Sequence, residues 1–326
     1  MRGSFQFSVF SFQFSVFSFQ FSVFSFQFSV FSFQWSVVSG QWSVVSGQWL
    51  VVGFEWLVCV GGGPSVMRPW ILAETNYGQV QGCAYEVAVL PMGATEPHNL
   101  HLPYGTDTLE AEAIASRACA VAWERGAKVV MLPAIPYGTE TNQNRCRLSM
   151  NVNPTTLGLV IRDLVESLEG HGIRKLLVLN SHGGNEFKPL LRELHGRTGM
   201  QLFLCDWFRG LTADVKGAIF EQPDDHAGEM ETSLALAYFG NLVALNADGT
   251  LAADEGRTAP TRFSQVDRGW ISITRPWHLL TTNTGSGNPH AATAEKGVRL
   301  MEVIVERLSG FLTELAAAKI DDRFPF

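Results

Sequence analysis

From Met67 onward the chain alternates short apolar runs with stretches of helical period. Glu86 to Leu90 (EVAVL), Lys128 to Leu132 (KVVML), Lys175 to Leu179 (KLLVL) and Gln201 to Cys205 are short, continuously apolar and flanked by turn residues, the pattern of buried strands. Between and after them, helical spacing runs over Thr108 to Gly126, Thr155 to Gly172, Phe187 to Gly196, Glu229 to Phe239 and Ala292 to Ala318. Strands that alternate with helices predict an α/β fold with a mainly parallel sheet covered on both faces. In such a sheet the ligand site lies beyond the carboxyl ends of the strands.

Before Met67 the pattern is of another kind. Ser-Phe-Gln-Phe-Ser-Val-Phe repeats from Ser4 to about Gln34, and Gly-Gln-Trp-Ser-Val-Val-Ser from Ser39 to about Val52. A period of seven suggests a coiled coil. However, apolar residues occupy more than two positions of the repeat, charged flanking positions are missing, and Phe, Val and Ser are poor helix formers. A continuous strand also fails, because seven is odd and the apolar face flips at every repeat. The genetic code accounts for both units. TTTCAGT repeated and read through its three frames encodes Phe-Gln-Phe-Ser-Val-Phe-Ser, and GGTCAGT encodes Gly-Gln-Trp-Ser-Val-Val-Ser. Residues 1–66 therefore read as a low-complexity translated repeat, expected to be disordered or not part of the native protein, with Met67 as the expected start of a domain over 67–326.

Composition sharpens this division. Residues 1–66 hold 14 of the 23 Phe and 4 of the 9 Trp but only two charged residues, Arg2 and Glu55, too few for the surface of an ordinary soluble domain. Glu55, the interspersed Ser and Gln and the lack of a basic leader argue against a signal or membrane helix near Trp49 to Val60. The net charge of -7, without a Lys/Arg cluster or aromatic–basic interleave, argues against a nucleic-acid surface. Five scattered cysteines without a C-x-x-C pair read as reduced thiols in a cytoplasmic protein.

Three segments fall where the sheet rule puts a site. The first runs from Gly93 to Thr108 (GATEPHNLHLPYGTDT), after the first strand. Glu96 and His98, two apart in a Pro-containing stretch, would point to one side of an extended backbone. Asp107 opens the next helix. Alone it reads as an N-cap, but beside Glu96 and His98 it reads as a ligand. The second segment, Asn180-Ser-His-Gly-Gly-Asn185, projects His182 at the end of the clearest strand, with Gly183 and Gly184 permitting close backbone approach. The third is Asp225-His-Ala-Gly-Glu-Met-Glu-Thr-Ser233, entering a helix whose first turn suits acidic residues in any case. Glu96, His98, Asp107, His182 and one of Glu229 and Glu231 make two imidazoles and three carboxylates. That set suits Zn²⁺, Mn²⁺ or Fe²⁺ rather than a thiolate-rich structural zinc. A shared carboxylate is the usual way to set two ions side by side. A serine hydrolase is disfavoured, since Ser181-His182 has no G-x-S-x-G elbow.

These three segments resemble the creatininase (creatinine amidohydrolase) family, whose pattern is a G-x-x-E-Q-H-G-x-H-L-P-x-x-T-D loop, an N-G-H-G-G-N loop and an H-A-G-E-x-E-T-S segment. The match extends from about Tyr85 to Gly297. The resemblance implies a three-layer α/β/α sandwich, often oligomeric, and a dinuclear metal-dependent hydrolase of cyclic-amide or formamide C–N bonds. It also implies a small-molecule amide substrate and no nucleic-acid or membrane partner. Carried over by position, Glu96, Asp107 and His182 would hold one divalent ion (Zn, Mn or Fe). His98, Asp107 and a further carboxylate would hold the second. Creatininase supplies that carboxylate where this chain has Gly184, and relatives with the Gly-Gly form point to Glu229, with Glu231 in reserve. The resemblance gives His226 the proton transfer to the leaving nitrogen, the amides of Gly183 and Gly184 the oxyanion, and His101 a supporting place. Pro97, Asn99 and Ser181 depart from the pattern, so creatinine is not implied as the substrate. The family also contains formamide hydrolases and a peptidase that trims a modified peptide; a metal-binding relative without catalysis is the remaining alternative. The polar stretch Gly138 to Asn153 is expected to contribute to the pocket.

Overall fold

The computed structural model describes residues 67–222 and 224–326, together with three short strands between residues 35 and 52. The chain divides into two units, Met1–Val66 and Met67–Phe326. In the first unit β1 (Trp35–Val38), β2 (Gln41–Ser43) and β3 (Trp49–Val52) form a sheet in the order β2-β1-β3. β1 is antiparallel to β2 and parallel to β3. The repeat excludes long strands, yet a strand of three or four residues ends before the apolar face flips, and Trp and Val suit it. The other residues before Met67, on which the expectation of disorder or of an origin outside the native protein also falls, lie outside the described residues.

The second unit carries a parallel sheet. Its strands are β4 (Val87–Met92), β5 (Val129–Met131), β6 (Lys175–Asn180) and β7 (Gln201–Asp206), in the order β5-β4-β6-β7. All three pairings are parallel, and the register sets Met92 opposite Asn180 and Asn180 opposite Asp206. The carboxyl ends of three neighbouring strands therefore finish level, and the chain leaves each of them toward the same side.

Side-chain alternation along the strands makes the layers. Val87, Val89, Leu177 and Leu179 face one way, onto α1 (Thr106–Glu124), α4 (Glu229–Tyr238) and α5 (Ala294–Ala317), where Ile114, Leu234, Leu300, Ile304 and Leu308 are buried. Ala88, Leu90, Leu176 and Val178 face the other way, onto α2 (Pro154–Gly170) and α3 (Lys188–Leu194), where Leu157, Ile161, Val165 and Leu194 are buried. The result is the expected α/β/α sandwich. α2 begins with Pro154 at its first turn, where the missing N–H costs nothing, and α5 is capped by the Thr293 side chain.

Two contacts lock α5 in place. The buried Lys175 ammonium donates to the carbonyls of Leu315, Ala316 and Ala318, satisfying the helix's last unpaired acceptors. At Gly297 a Cβ would lie 2.1 Å from the Ser233 carbonyl, so only glycine allows α5 to cross α4 this closely. Among the described residues no helix is long and apolar enough to cross a membrane.

Candidate metal centre

The three motif segments meet over the level strand ends, held by asparagines. Asn180 donates from Nδ2 to the His182 carbonyl (2.9 Å) and to Asp206 Oδ1 (2.8 Å), and its Oδ1 accepts from the His182 amide. Asn185 donates to the Gly93 carbonyl and to Asn180, and accepts from the Thr139 amide. The loops after β4, β5 and β6 are thereby tied to one another. α1 starts at Thr106, with Gly105 rather than Asp107 at the cap position, so the Asp107 carboxylate is free to turn into the site.

Asp107 lies between two imidazoles. Its Oδ2 is 3.0 Å from His182 Nδ1, and its Oδ1 is 3.2 Å from His98 Nε2. Glu96 Oε1 lies 2.7 Å from the same His182 nitrogen, and Glu231 Oε1 lies 3.6 Å from the same His98 nitrogen. The far nitrogen of His182, Nε2, faces Glu140 Oε2 at 2.8 Å and the Thr139 carbonyl at 3.2 Å. His226 Nε2 lies 3.0 Å from the Pro97 carbonyl and 3.7 Å from Glu96 Oε2. Its ring sits 4.2 Å from that of His98 and edge-on to Trp277 at 5.5 Å.

The donor set fits divalent cations. Atoms of Glu96, Asp107, Glu140 and His182 all lie within 4.8 Å of one another, as do atoms of Glu96, His98 and His226. Glu96 Oε1, Asp107 Oδ2 and Glu140 Oε2 are buried and, among the described residues, face only the ring of His182, three carboxylates on one imidazole. Buried carboxylate oxygens left this way are costly unless positive charge faces them.

The titration shifts carry the same demand. Burial works against charge on His98 and His182. The carboxylates overcome it, Asp107 foremost at His98 and Glu96 foremost at His182, and hold both rings well above the ordinary imidazole range. Burial opposes ionisation of Asp107 too, but His98 and His182 hold its carboxyl below the usual range. Glu96 is raised well above its usual range by burial, with Glu140 and Asp107 adding to it against His182. His226 goes the opposite way: burial first, then the His98 ring beside it, lowers it to about 3, so its imidazole is neutral near pH 7.

The structure brings Glu96, His98, Asp107, His182 and His226 together but not Glu229. The fully buried Glu229 carboxylate accepts from the Glu221 and Gln222 amides and pairs with Lys296 in the first turn of α5. Glu231, not Glu229, faces His98 from α4. No carboxylate could come from position 184, where a Cβ would lie 2.4 Å from the Thr139 carbonyl and 2.5 Å from His182 Nε2. Gly183 and Gly184 line the cavity. His101 stands apart: its Nε2 lies 2.8 Å from Thr232 Oγ1, and burial lowers it to about 4. Ser181 is engaged with Glu110 and Trp207, away from any nucleophilic role.

Asn99 and Ala227, each next to a site histidine, adopt φ values of 57° and 56°. Asn tolerates that conformation better than most residues, which is how it can stand where the family pattern has Gly. Ala227 holds it at some cost, as residues beside functional groups often do.

A cavity of about 270 Å³ opens over these groups. Thr139, Glu140, Asn142 and Gln143 line it, as the polar stretch from Gly138 predicts, and Gln143 donates to Glu96 Oε2. Sequence reading does not single out Glu140 within that stretch, and nothing local marks Trp277, which reaches the cavity from more than forty residues beyond His226.

Comparison with known proteins agrees with this architecture. The creatininase family profile, described as creatinine amidohydrolase, matches residues 73–312. Creatinine amidohydrolase of Pseudomonas putida is 28% identical over 248 residues, covering 70% of this chain and 89% of that protein. The mycofactocin precursor peptide peptidase of Mycobacterium tuberculosis is 26% identical over 225 residues, covering 67% and 81%. A solved structure from Bacteroides fragilis NCTC 9343, provisionally named a creatinine amidohydrolase, superposes with a TM-score of 0.73 at 35% identity, covering 78% of this chain and all of that one. The chain belongs to the creatininase family.

Proposed function

We propose that this creatininase-family chain is a dinuclear metal-dependent amidohydrolase that cleaves the C–N bond of a small cyclic amide or formamide. The observation that carries this reading is Asp107, which offers one oxygen toward His182 and Glu96 and the other toward His98 and Glu231. Glu96, Asp107 and His182 would hold one ion; His98, Asp107 and Glu231 would hold the second. Glu231 takes the place that sequence comparison assigned to Glu229. When bound, the ions would supply Lewis-acid polarisation of the amide carbonyl and activation of a water. Solved creatininases with manganese and with two zinc ions share this fold, so those metals are the first to test here.

The chain's own groups supply the remainder. His226 is a neutral imidazole packed against Trp277 and beside Glu96, positioned to carry a proton to the leaving nitrogen. Glu140 and the Thr139 carbonyl fix the orientation of the His182 ring from behind. The amides of Gly183 and Gly184 are available to the developing oxyanion.

The small cavity favours a small amide. A neighbouring groove of about 740 Å³ shares Thr139, Asn142, Gly183, Gly184 and Arg275 with it, which is the structural support for the second reading, a peptidase acting on a modified peptide. Turnover of formamide, cyclic-amide and short-peptide panels by manganese- or zinc-loaded protein separates the two. His226→Ala should keep both ions and lose about 10²–10⁴ in kcat; full activity in that variant would refute the assigned proton carrier. Self-association is part of the proposal, supported by the exposed apolar side chains Phe263, Trp270, Ile271, Ile273 and Leu279, and is checked by light scattering.

A further inference from the structure

The cavity floor is acidic, but its wall is not. Arg209 follows β7, Lys216 lies in the short helix Lys216–Ile219, and Arg275 comes from the loop before Trp277. Three cations from three separate segments thus converge on one cavity of a chain whose net charge is -7.

Their partners differ. Arg275 is neutralised by Asp225 at 2.9 Å and stacked 4.6 Å above Trp277. Arg209 approaches Asp206 only at 3.5 Å, and the other oxygen of that carboxylate already accepts from Asn180. A second Arg209 nitrogen lies 3.4 Å from the Gly183 carbonyl, which brings the guanidinium beside the residue that follows His182. Lys216 is half-buried and forms no ion pair among the described residues. Arg209 and Lys216 therefore keep positive charge at the cavity that no carboxylate fully offsets among the described residues, and an anion arriving from outside would meet it.

We propose that the amide substrate carries an anionic group, a carboxylate or a phosphate, which Arg209 and Lys216 hold at the rim while the amide lies over the acidic floor. This rests on the amidohydrolase reading for the position of the amide, but the anion contact belongs to the rim alone. Arg209 suits a two-point contact with such a group and Lys216 a single contact with one of its oxygens, the division of labour expected of a planar fork and a point charge. A neutral amide would leave Lys216 without a counter-charge.

The test uses a matched pair of probes inert to hydrolysis, N-methanesulfonylglycine and its carboxamide, titrated calorimetrically into the full chain with and without manganese. The anionic probe should bind about tenfold more tightly, the effect of one charge-assisted hydrogen bond, and the preference should weaken as salt is raised. In Arg209→Gln/Lys216→Gln the preference should vanish while the affinity of the neutral probe and the metal content stay unchanged. Equal affinity of the two probes, no binding of the anionic one, or a preference that survives in the double variant would each overturn the proposal. A preparation that takes up no ions would instead defeat the dinuclear reading, and the probe ratio in metal-free protein would still decide the rim.

Discussion

The two halves of the proposed centre would share Asp107 and are otherwise built differently. Glu96 and His182 come from loops leaving the adjacent strands β4 and β6, whose register is fixed by the hydrogen bonds of a buried parallel sheet and whose loops are tied by Asn180 and Asn185. His98 and Glu231 come from a loop and from the first turn of α4, more than 130 residues apart in sequence. The contacts reflect this, at 2.7 and 3.0 Å in the first half against 3.2 and 3.6 Å in the second. A site half on a sheet edge inherits its geometry from the strands. The half on a helix depends on how that helix is docked, and α4 is docked through Glu229 and Lys296.

The largest test of that comparison is to remove what the halves share. Asp107→Asn should lose both ions and more than about 10³ in turnover, and elemental analysis showing one ion retained at full occupancy would mean the halves are independent. Next comes the pair on α4. Glu231→Gln should empty the second half alone and cost at least about 100-fold in turnover, more than loss of an outer partner does. Glu229→Gln should keep both ions but lower unfolding stability by about 2 kcal/mol, because it leaves Lys296 without its buried partner. The reverse outcome, ion loss in Glu229→Gln with Glu231→Gln unaffected, would restore the sequence-based assignment.

A smaller effect is expected behind His182. Glu140→Gln should weaken the first-half ion about 10–100-fold while the second is little changed, as read by competition with a chelator. An effect of similar size, without any on the ions, is expected outside both halves, at His101. The folded ring titrates near 4 and the unfolded one near 6.5, so the unfolded chain binds the extra proton and stability falls as pH drops through that window. Its contribution between pH 7 and 5 is a loss of about 2 kcal/mol, absent in His101→Gln when denaturant unfolding of the two proteins is compared.

Much of this was legible in the chain. The strands were visible because a buried parallel sheet needs continuous apolar runs, and helix ends fell within a few residues of the periodic stretches. Glu96, His98, Asp107 and His182 were visible because they follow those runs closely, where strand ends open onto a site. Glu140 was not, because its segment has no period and no motif, and its place depends on Asn151 and Asn185 binding the neighbouring backbone. Trp277 was not, because an isolated aromatic in a long loop reads the same whether it faces solvent or a site. The short strands between residues 35 and 52 were not, because a period of seven marks only where a long strand would lose its apolar face and says nothing of pairing over three or four residues.

The layered α/β architecture, the family and four metal-ligand candidates are readable from the chain alone, since they follow from local periodicity and from motifs adjacent to strands. The different placements of Glu229, against Lys296, and Glu231, toward His98, come from the tertiary structure alone. Two residues apart on an α-helix point in directions roughly 200° apart, so one had to face the centre and the other the scaffold. Which faces which is set by the docking of α4 against α5, where Lys296 claims Glu229 and leaves Glu231 toward His98.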